Sequence, residues 1–389
     1  MWANRLDPLE RLLVIALSAF PFLPFGVSNA SLIVLVILRL FQTKGATLPS
    51  GKDWLLLTPA ALIILSWAFH GLAPDGLREI RLWPILLAAV VYFKTSTYRA
   101  LFNRSFVITS AIGGVIVLGS LVLGEPLPQE HLSQFIRDAI TERFAWHPTY
   151  LSTLWAWASL LLWSDSLFHK HVRLTLSAFL VGMAAMAGGK MPLLAMMITG
   201  VLGLWFFSSW PVKWKAAAAG LCAALLIAIS FSPALRDRVG EFQNLSTDYE
   251  EDAWLTSTEL RLGVWQCAWQ CTMDNKWLGA GVGRTRPVLE ACFKDYDQSE
   301  FFDTEFNTHN QYLHFWFSGG ILAFMIFLAY GVWLLWQNRT QRTAFLFLLF
   351  FLLISLTENY FSRQIGMMLF ALFLQIPVLN SHKKENVSH

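Results

Sequence analysis

His309 lies in the run Phe306-Asn307-Thr308-His309-Asn310-Gln311-Tyr312-Leu313, where the chain's longest polar stretch gives way to an apolar one. Thr308 followed by Gln311 at the third position fits a capping box, with Thr308 as the cap and His309 as the first helical residue. The positive end of a helix dipole favours a neutral imidazole over an imidazolium. A neutral imidazole can take a proton, as a general base must. Position alone favours a plainer role, an interfacial histidine that solvates a helix end. His147, just before Pro148, occupies the same kind of place.

A second group of candidates is cationic. Lys190 sits in Gly188-Gly189-Lys190-Met191-Pro192, a turn between two apolar runs, and has no acid close in sequence. Arg78, Arg81, Arg261, Arg284 and Arg286 fall in other connections that the topology places on the same side. Arg and Lys neutralise phosphate oxygens and stabilise a diphosphate leaving group. Local ion pairs are the alternative: Arg78 and Arg81 flank Glu79, and Arg261 has Glu259 nearby.

The acids of the polar stretch include Asp248, Glu250, Glu251 and Asp252, then Asp295, Asp297, Glu300, Asp303 and Glu305. Asp295-Tyr296-Asp297 has the spacing of a metal-binding Asp-x-Asp. It lies among so many other acids that it reads as a solvated run, and no metal site is expected. Of the four cysteines, Cys222 is in an apolar helix and reads as packing. Cys267 and Cys271 share one helix face, so either could reach Cys292 if the compartment is oxidising. Zinc spacing is absent.

The elements that must carry these residues are helices in a membrane. Hydrophobic residues make up 55% of the chain and charged residues 14%, and the mean hydropathy is +0.49. Soluble domains carry about 25% charged residues. The net charge of +3 is unclustered, so no nucleic-acid partner is expected. Spans need about 20 mostly apolar residues. Candidate cores are 12–25, 30–40, 54–69, 80–93, 106–123, 150–163, 174–187, 192–207, 216–230, 313–336, 345–356 and 365–379, about twelve. The first run, broken by Pro21 and Pro24 and lacking a small-residue cleavage site, is expected to stay as the first helix.

The positive-inside rule orients the set. With a cytoplasmic N-terminus, each short inside connection is basic: Arg39, Lys44 and Lys52; Lys94, Arg99 and Arg104; Lys170 and Arg173; Lys213 and Lys215; Arg339 and Arg342; and Lys383 and Lys384 in the tail. Outside connections mix signs, as in Asp75 with Arg78, Glu79 and Arg81, or Glu358 with Arg363. The polar stretch 232–308 is then extracytoplasmic. Two segments outside the spans read as helical. Leu132, Phe135, Ile136, Ala139, Ile140 and Phe144 recur at helical spacing and suggest an amphipathic helix at the membrane boundary. Thr256-Ser257-Thr258-Glu259 fits a capping box that starts a helix running to about Met273. Arg261, Trp265 and Trp269 then share a face. The glycine run 279–283 that follows reads as a flexible turn whose amides could approach a ligand.

Taken together, Arg261 with Trp265, the run Trp277-Leu278-Gly279-Ala280-Gly281-Val282-Gly283, His309-Asn310-Gln311-Tyr312-Leu313 and Gly319-Gly320 resemble the O-antigen ligase and polymerase family of bacterial envelopes. The motif-bearing part is 259–320; the rest is similar in topology. The resemblance implies an all-α polytopic, GT-C-like membrane protein of about twelve transmembrane helices with a large periplasmic loop containing helices. The divisions are an N-terminal bundle 1–231, a periplasmic loop 232–310 and C-terminal helices with a cytoplasmic tail 311–389. It also implies the bacterial inner membrane, with both termini cytoplasmic and the active site periplasmic.

The implied activity is metal-independent, cofactor-free inverting transfer of a glycan from undecaprenyl diphosphate to an acceptor hydroxyl, in a ligase that of lipid A-core. By position, His309 matches the family's essential histidine and Arg261 its loop arginine. A further family arginine falls where this chain has Lys190, which keeps the charge and loses the bidentate fork. Lys276-Trp277 stands in place of the usual Asn-Pro. The role of Lys190 and Arg261 is to hold the diphosphate, with Arg284 a weaker candidate. Trp265, Trp269 and Asn310 are candidate glycan contacts, for which packing on a helix face is the alternative. Other acceptors stay open: a growing carrier-linked polymer, or protein. A transporter of lipid-linked glycan would place ionisable residues at mid-membrane and show helix repeats. The predicted spans are nearly free of charge, which favours an enzyme.

Overall fold

The computed structural model describes residues 3–43, 51–93, 96–124, 132–164, 168–230, 257–294 and 306–378. The structure is mainly helical, with no strand among the described residues. The helices are α1 (Ala3–Ser18), α2 (Phe25–Thr43), α3 (Thr58–Phe69), α4 (Gly76–Ile80), α5 (Trp83–Phe93), α6 (Arg99–Val122), α7 (Leu132–Phe144) and α8 (Pro148–Ser164). They continue with α9 (Lys170–Met186), α10 (Lys190–Phe207), α11 (Val212–Ser230), α12 (Ser257–Asp274), α13 (Thr285–Phe293), α14 (Gln311–Gln337), α15 (Arg342–Ile354) and α16 (Gln364–Val378).

Each apolar run in the sequence falls wholly or partly on one of these helices. The first does so only in part: α1 stops at Ser18, and Pro21 and Pro24 lie in the turn before α2. Among the described residues, four helices are long and apolar enough to cross a membrane, Phe25–Gln42, Arg99–Val122, Lys190–Phe207 and Gln311–Gln337, and shorter apolar helices accompany them. At 1.5 Å per residue, a helix under 18 residues falls short of a bilayer core about 30 Å thick.

The short helix α8 is apolar because it is central. Leu151, Leu154, Trp155, Ala156, Trp157, Ala158, Leu161 and Leu162 are each at most 1% exposed, so all its faces meet protein. Pro148, with no N–H to satisfy, begins it. Trp157 packs on Phe347, Phe350 and Phe373 of α15 and α16 at 5.0, 6.0 and 5.5 Å. In lipid such contacts act through shape and dispersion, since leaving the hydrocarbon gains little. At one end of the α1–α2 hairpin, buried Glu10 accepts Arg39 Nη2 at 2.8 Å and the Tyr92 hydroxyl at 3.1 Å.

The glycines of the motif explain how α12 and α13 are held against the bundle. Helix α14 kinks at Gly320, which has φ +75°. The segment 276–280 docks on that kink: Ala280 N donates to Phe317 O at 2.7 Å and Ile321 N to Lys276 O at 2.9 Å. A Cβ on Gly320 would overlap the Trp277 carbonyl, and one on Gly279 would lie 2.6 Å from Gly320 N. A Cβ on Gly281 would meet the His70 ring at 2.5 Å, and one on Gly283 would overlap the Gly76 backbone. The expectation of a flexible ligand-facing turn is therefore corrected. These glycines are spent on close backbone packing. Within the loop, Cys267 of α12 is disulfide-bonded to Cys292 of α13, and Cys271 is a buried free thiol.

Candidate active site

The segment that carries His309 is zipped to the loop between α15 and α16. Gln311 N donates to Ser355 O at 2.9 Å, and Phe361 N donates to Gln311 Oε1 at 3.0 Å. Asn359 Nδ2 donates to the buried Thr308 Oγ1 at 2.9 Å. These bonds use Thr308 and Gln311 in a way the capping-box expectation did not foresee. The cap is Asn310, whose side chain accepts from Tyr312 N and Leu313 N at 3.0 Å each. Helix α14 starts at Gln311, and His309 precedes it in the left-handed region with φ +42°. The correction has a physical reason: Asn310 satisfies two orphan amides, while Gln311 is drawn to the buried Phe361 amide. The other expected cap, Thr256, lies outside the described residues, but α12 begins at Ser257 as expected.

This zipper sets His309 Nδ1 3.0 Å from Glu358 Oε1. The Glu358 side chain is 3% exposed and that of His309 19%. Burial pushes the Glu358 carboxyl up. The hydrogen bond and charge of His309, then the charges of Arg261 and His147, outweigh it and hold the carboxyl at about 2. Glu358 is thus an anion at neutral pH and accepts hydrogen bonds only. In the neutral ring this partner fixes the tautomer, with the proton on Nδ1 and Nε2 as the acceptor. Arg261 Nη2 reaches the same oxygen at 3.5 Å, and the Tyr150 hydroxyl donates to Glu358 Oε2 at 3.3 Å. His147, one residue before α8, is desolvated and repelled by Arg137, Arg261 and Arg363. Glu358 offsets this only in part, so its pKa falls below the ordinary value.

Arg261 and Lys190 line one cavity of about 260 Å³, joined by Arg137 of α7 and by Trp265. The turn that presents Lys190 needs its glycines. Gly188 has φ +71°, and a Cβ on Gly189 would overlap the Ser152 side chain of α8. A second cavity, of about 530 Å³, is lined by Trp265, Trp269, Asn310 and Trp316. Trp269 meets Trp316 edge to face at 5.6 Å. The structure brings together His309, Arg261, Lys190, Trp265, Trp269 and Asn310 around α12 and the start of α14.

It does not bring Arg284 to them. Arg284 is exposed, lies beside Gly71 and is absent from the lining of the Arg261–Lys190 cavity. Arg286 is paired with Glu290 at 2.6 Å. Among the described residues, no three His, Cys, Asp or Glu side chains group as metal ligands. Asp295-Tyr296-Asp297 and the acids 248–252 lie outside the described residues.

Residues 175–328 match the family model described as O-antigen ligase. This stretch, less than half of the chain, is similar to the O-antigen ligase and polymerase family. No curated protein matches it. The family consists of glycosyltransferase-like enzymes and implies lipid-linked glycan substrates in a membrane setting. The matched stretch holds Lys190, Arg261 and His309, whereas Arg137, His147, Tyr150 and Glu358 stand outside it. Sequence reasoning missed these four as site residues. Glu358 carried the one available signal, an acid in the short connection between two strongly apolar runs.

Proposed function

We propose that this protein is an O-antigen ligase, which on the periplasmic face of the inner membrane moves a glycan from undecaprenyl diphosphate to a sugar hydroxyl of lipid A-core. The observation that carries the reading is the His309–Glu358 pair, linked through Arg261 to a cavity that also holds Lys190 and Arg137. His309 Nε2 takes the acceptor hydroxyl proton while Glu358 stabilises the imidazolium that forms. The acceptor oxygen bonds to the anomeric carbon on the face opposite the carrier. The bond from that carbon to the diphosphate oxygen breaks, its electron pair leaves with the carrier diphosphate, and the configuration inverts. Arg261, Lys190 and Arg137 neutralise the developing charge, so the step needs no metal. Trp265 and Trp269 offer ring faces to sugars, and Asn310 a polar contact beside them.

The polymerase and the protein oligosaccharyltransferase differ from the ligase in the acceptor alone. Product analysis tests the choice. Purified protein, given carrier-linked glycan and lipid A-core, is expected to place glycan on the core. Growth of the carrier-linked glycan instead, with none on the core, would make it a polymerase.

A further inference from the structure

A larger cavity, of about 1040 Å³, adjoins the Glu358 site. Glu358 bridges the two cavities: its Oε1 takes Arg261 of the smaller one, and its Oε2 takes the Tyr150 hydroxyl, which lines the larger. Arg78, Arg81, Arg143 and Arg363 also line it, with His147, and no Asp or Glu does. These arginines come from three places in the chain, the α4 turn, the end of α7 and the start of α16, so their convergence is a property of the fold.

Local pairing accounts for Arg78 and leaves Arg81, Arg143 and Arg363. Glu79, between Arg78 and Arg81 in sequence, accepts His314 Nε2 at 2.9 Å. Arg78 has Asp75 at 3.8 Å. Arg143 donates to the neutral Ser120 carbonyl. Among the described residues, no carboxylate lies within ion-pair distance of Arg81, Arg143 or Arg363. Much of the remaining wall is apolar, including Phe22 and Trp146, which meet edge to face at 5.3 Å. Like charges gathered against apolar walls repel one another and call for an anion. An apolar wall beside arginines fits an amphiphile with anionic groups near its lipid.

We propose that this arginine-lined cavity is the acceptor subsite and that the acceptor is an anionic glycolipid, its sugar phosphate or carboxylate held by Arg81 and Arg363. The proposal rests on the transferase reading for the word acceptor, and its test reads binding alone. The full-length protein in nanodiscs is titrated with lipid A-core. The same glycolipid with phosphates removed and carboxylates esterified, undecaprenyl-diphosphate glycan, and phosphatidylglycerol as competitor are run beside it.

In Arg81→Gln/Arg363→Gln, lipid A-core affinity is expected to fall about tenfold to a hundredfold, the loss of one or two charge-assisted bonds. Donor affinity is expected to stay within twofold. Arg81→Lys/Arg363→Lys is expected to recover part of the loss, and the neutralised glycolipid to bind wild type as weakly as intact glycolipid binds the Gln variant. If the Gln variant fails to fold, the neutralised glycolipid on wild type and the Lys variant carry the test. Equal affinity for intact and neutralised glycolipid would overturn the proposal. So would loss of donor binding in place of acceptor binding, or full competition by phosphatidylglycerol. Anion-dependent glycolipid binding without any transfer would uphold this subsite while the transferase reading falls.

Discussion

His309 Nδ1 and Glu358 Oε1 lie 3.0 Å apart although 49 positions separate them in sequence. The contact arises because two adjacent pairs are clamped together: Thr308-His309 on one strand of chain, Glu358-Asn359 on the other. A carboxylate behind an imidazole fixes the tautomer and favours the protonated ring that appears as a hydroxyl is deprotonated.

Removing that charge while keeping the shape tests the pairing. Glu358→Gln is expected to lower transfer at least about tenfold, because the amide can no longer stabilise the imidazolium. Glu358→Asp, which keeps the charge at a greater distance, is expected to retain more activity than the Gln variant. Initial rates, compared at equal melting temperature, decide it.

The same carboxylate predicts how stability responds to acid. Its folded-state value of about 2 lies below the ordinary 4.5. A depressed carboxyl contributes stability that is fully present above the unfolded value and is lost as pH falls through the folded one. The wild-type protein is therefore expected to lose melting temperature between about pH 4.5 and pH 2. Glu358→Gln is expected to show a shallower fall over the same window in thermal scans.

The cations of the smaller cavity differ in kind. Arg261→Ala is expected to weaken donor binding and transfer by about 1.5–3 kcal/mol, the worth of a hydrogen bond to a charged group. Lys190→Ala is expected to do the same, whereas Lys190→Arg, which supplies a fork for the diphosphate, is expected to keep or raise activity. Arg284→Ala is expected to leave donor affinity unchanged. Titration with carrier-linked glycan, beside initial transfer rates, reads all four.

Gly320→Ala tests the docking of the loop on the kink. The substituent would meet the Trp277 carbonyl at a positive φ. Strain of this kind costs of order 1–3 kcal/mol for the backbone alone, so a lower melting temperature is expected, with raised proteolysis in the 276–280 segment.

The Cys267–Cys292 disulfide closes a separation of 25 residues. Its loss by Cys292→Ser is expected to cost about 3 kcal/mol by loop entropy. Thiol labelling of the unfolded, unreduced wild-type protein is expected to find Cys222 and Cys271 alone.

Periodicity and capping made the helices legible, because an apolar run of the right length has few other fates in a membrane. The span 150–163 was legible as a helix but not as the centre of the bundle, since nothing in an apolar run says whether lipid or protein covers it. His309, Arg261 and Lys190 were visible as unusual groups at helix ends. Glu358 was hidden because its role depends on which loop the fold lays against residues 308–311. Arg81 and Glu79 show the reverse error: neighbours in sequence suggested a pair, but His314 takes Glu79. The glycine run misled because a tight turn toward a ligand and a tight turn toward another backbone need the same residue.

The central claim is that His309 is the base, and transfer by purified protein tests it most directly. The assay supplies carrier-linked glycan, lipid A-core and EDTA, with wild type beside His309→Ala of matched melting temperature. Wild type is expected to place glycan on the core, with a loss of about 10²–10⁴-fold in the variant, the usual worth of a general base. Undiminished transfer by the folded variant would contradict it.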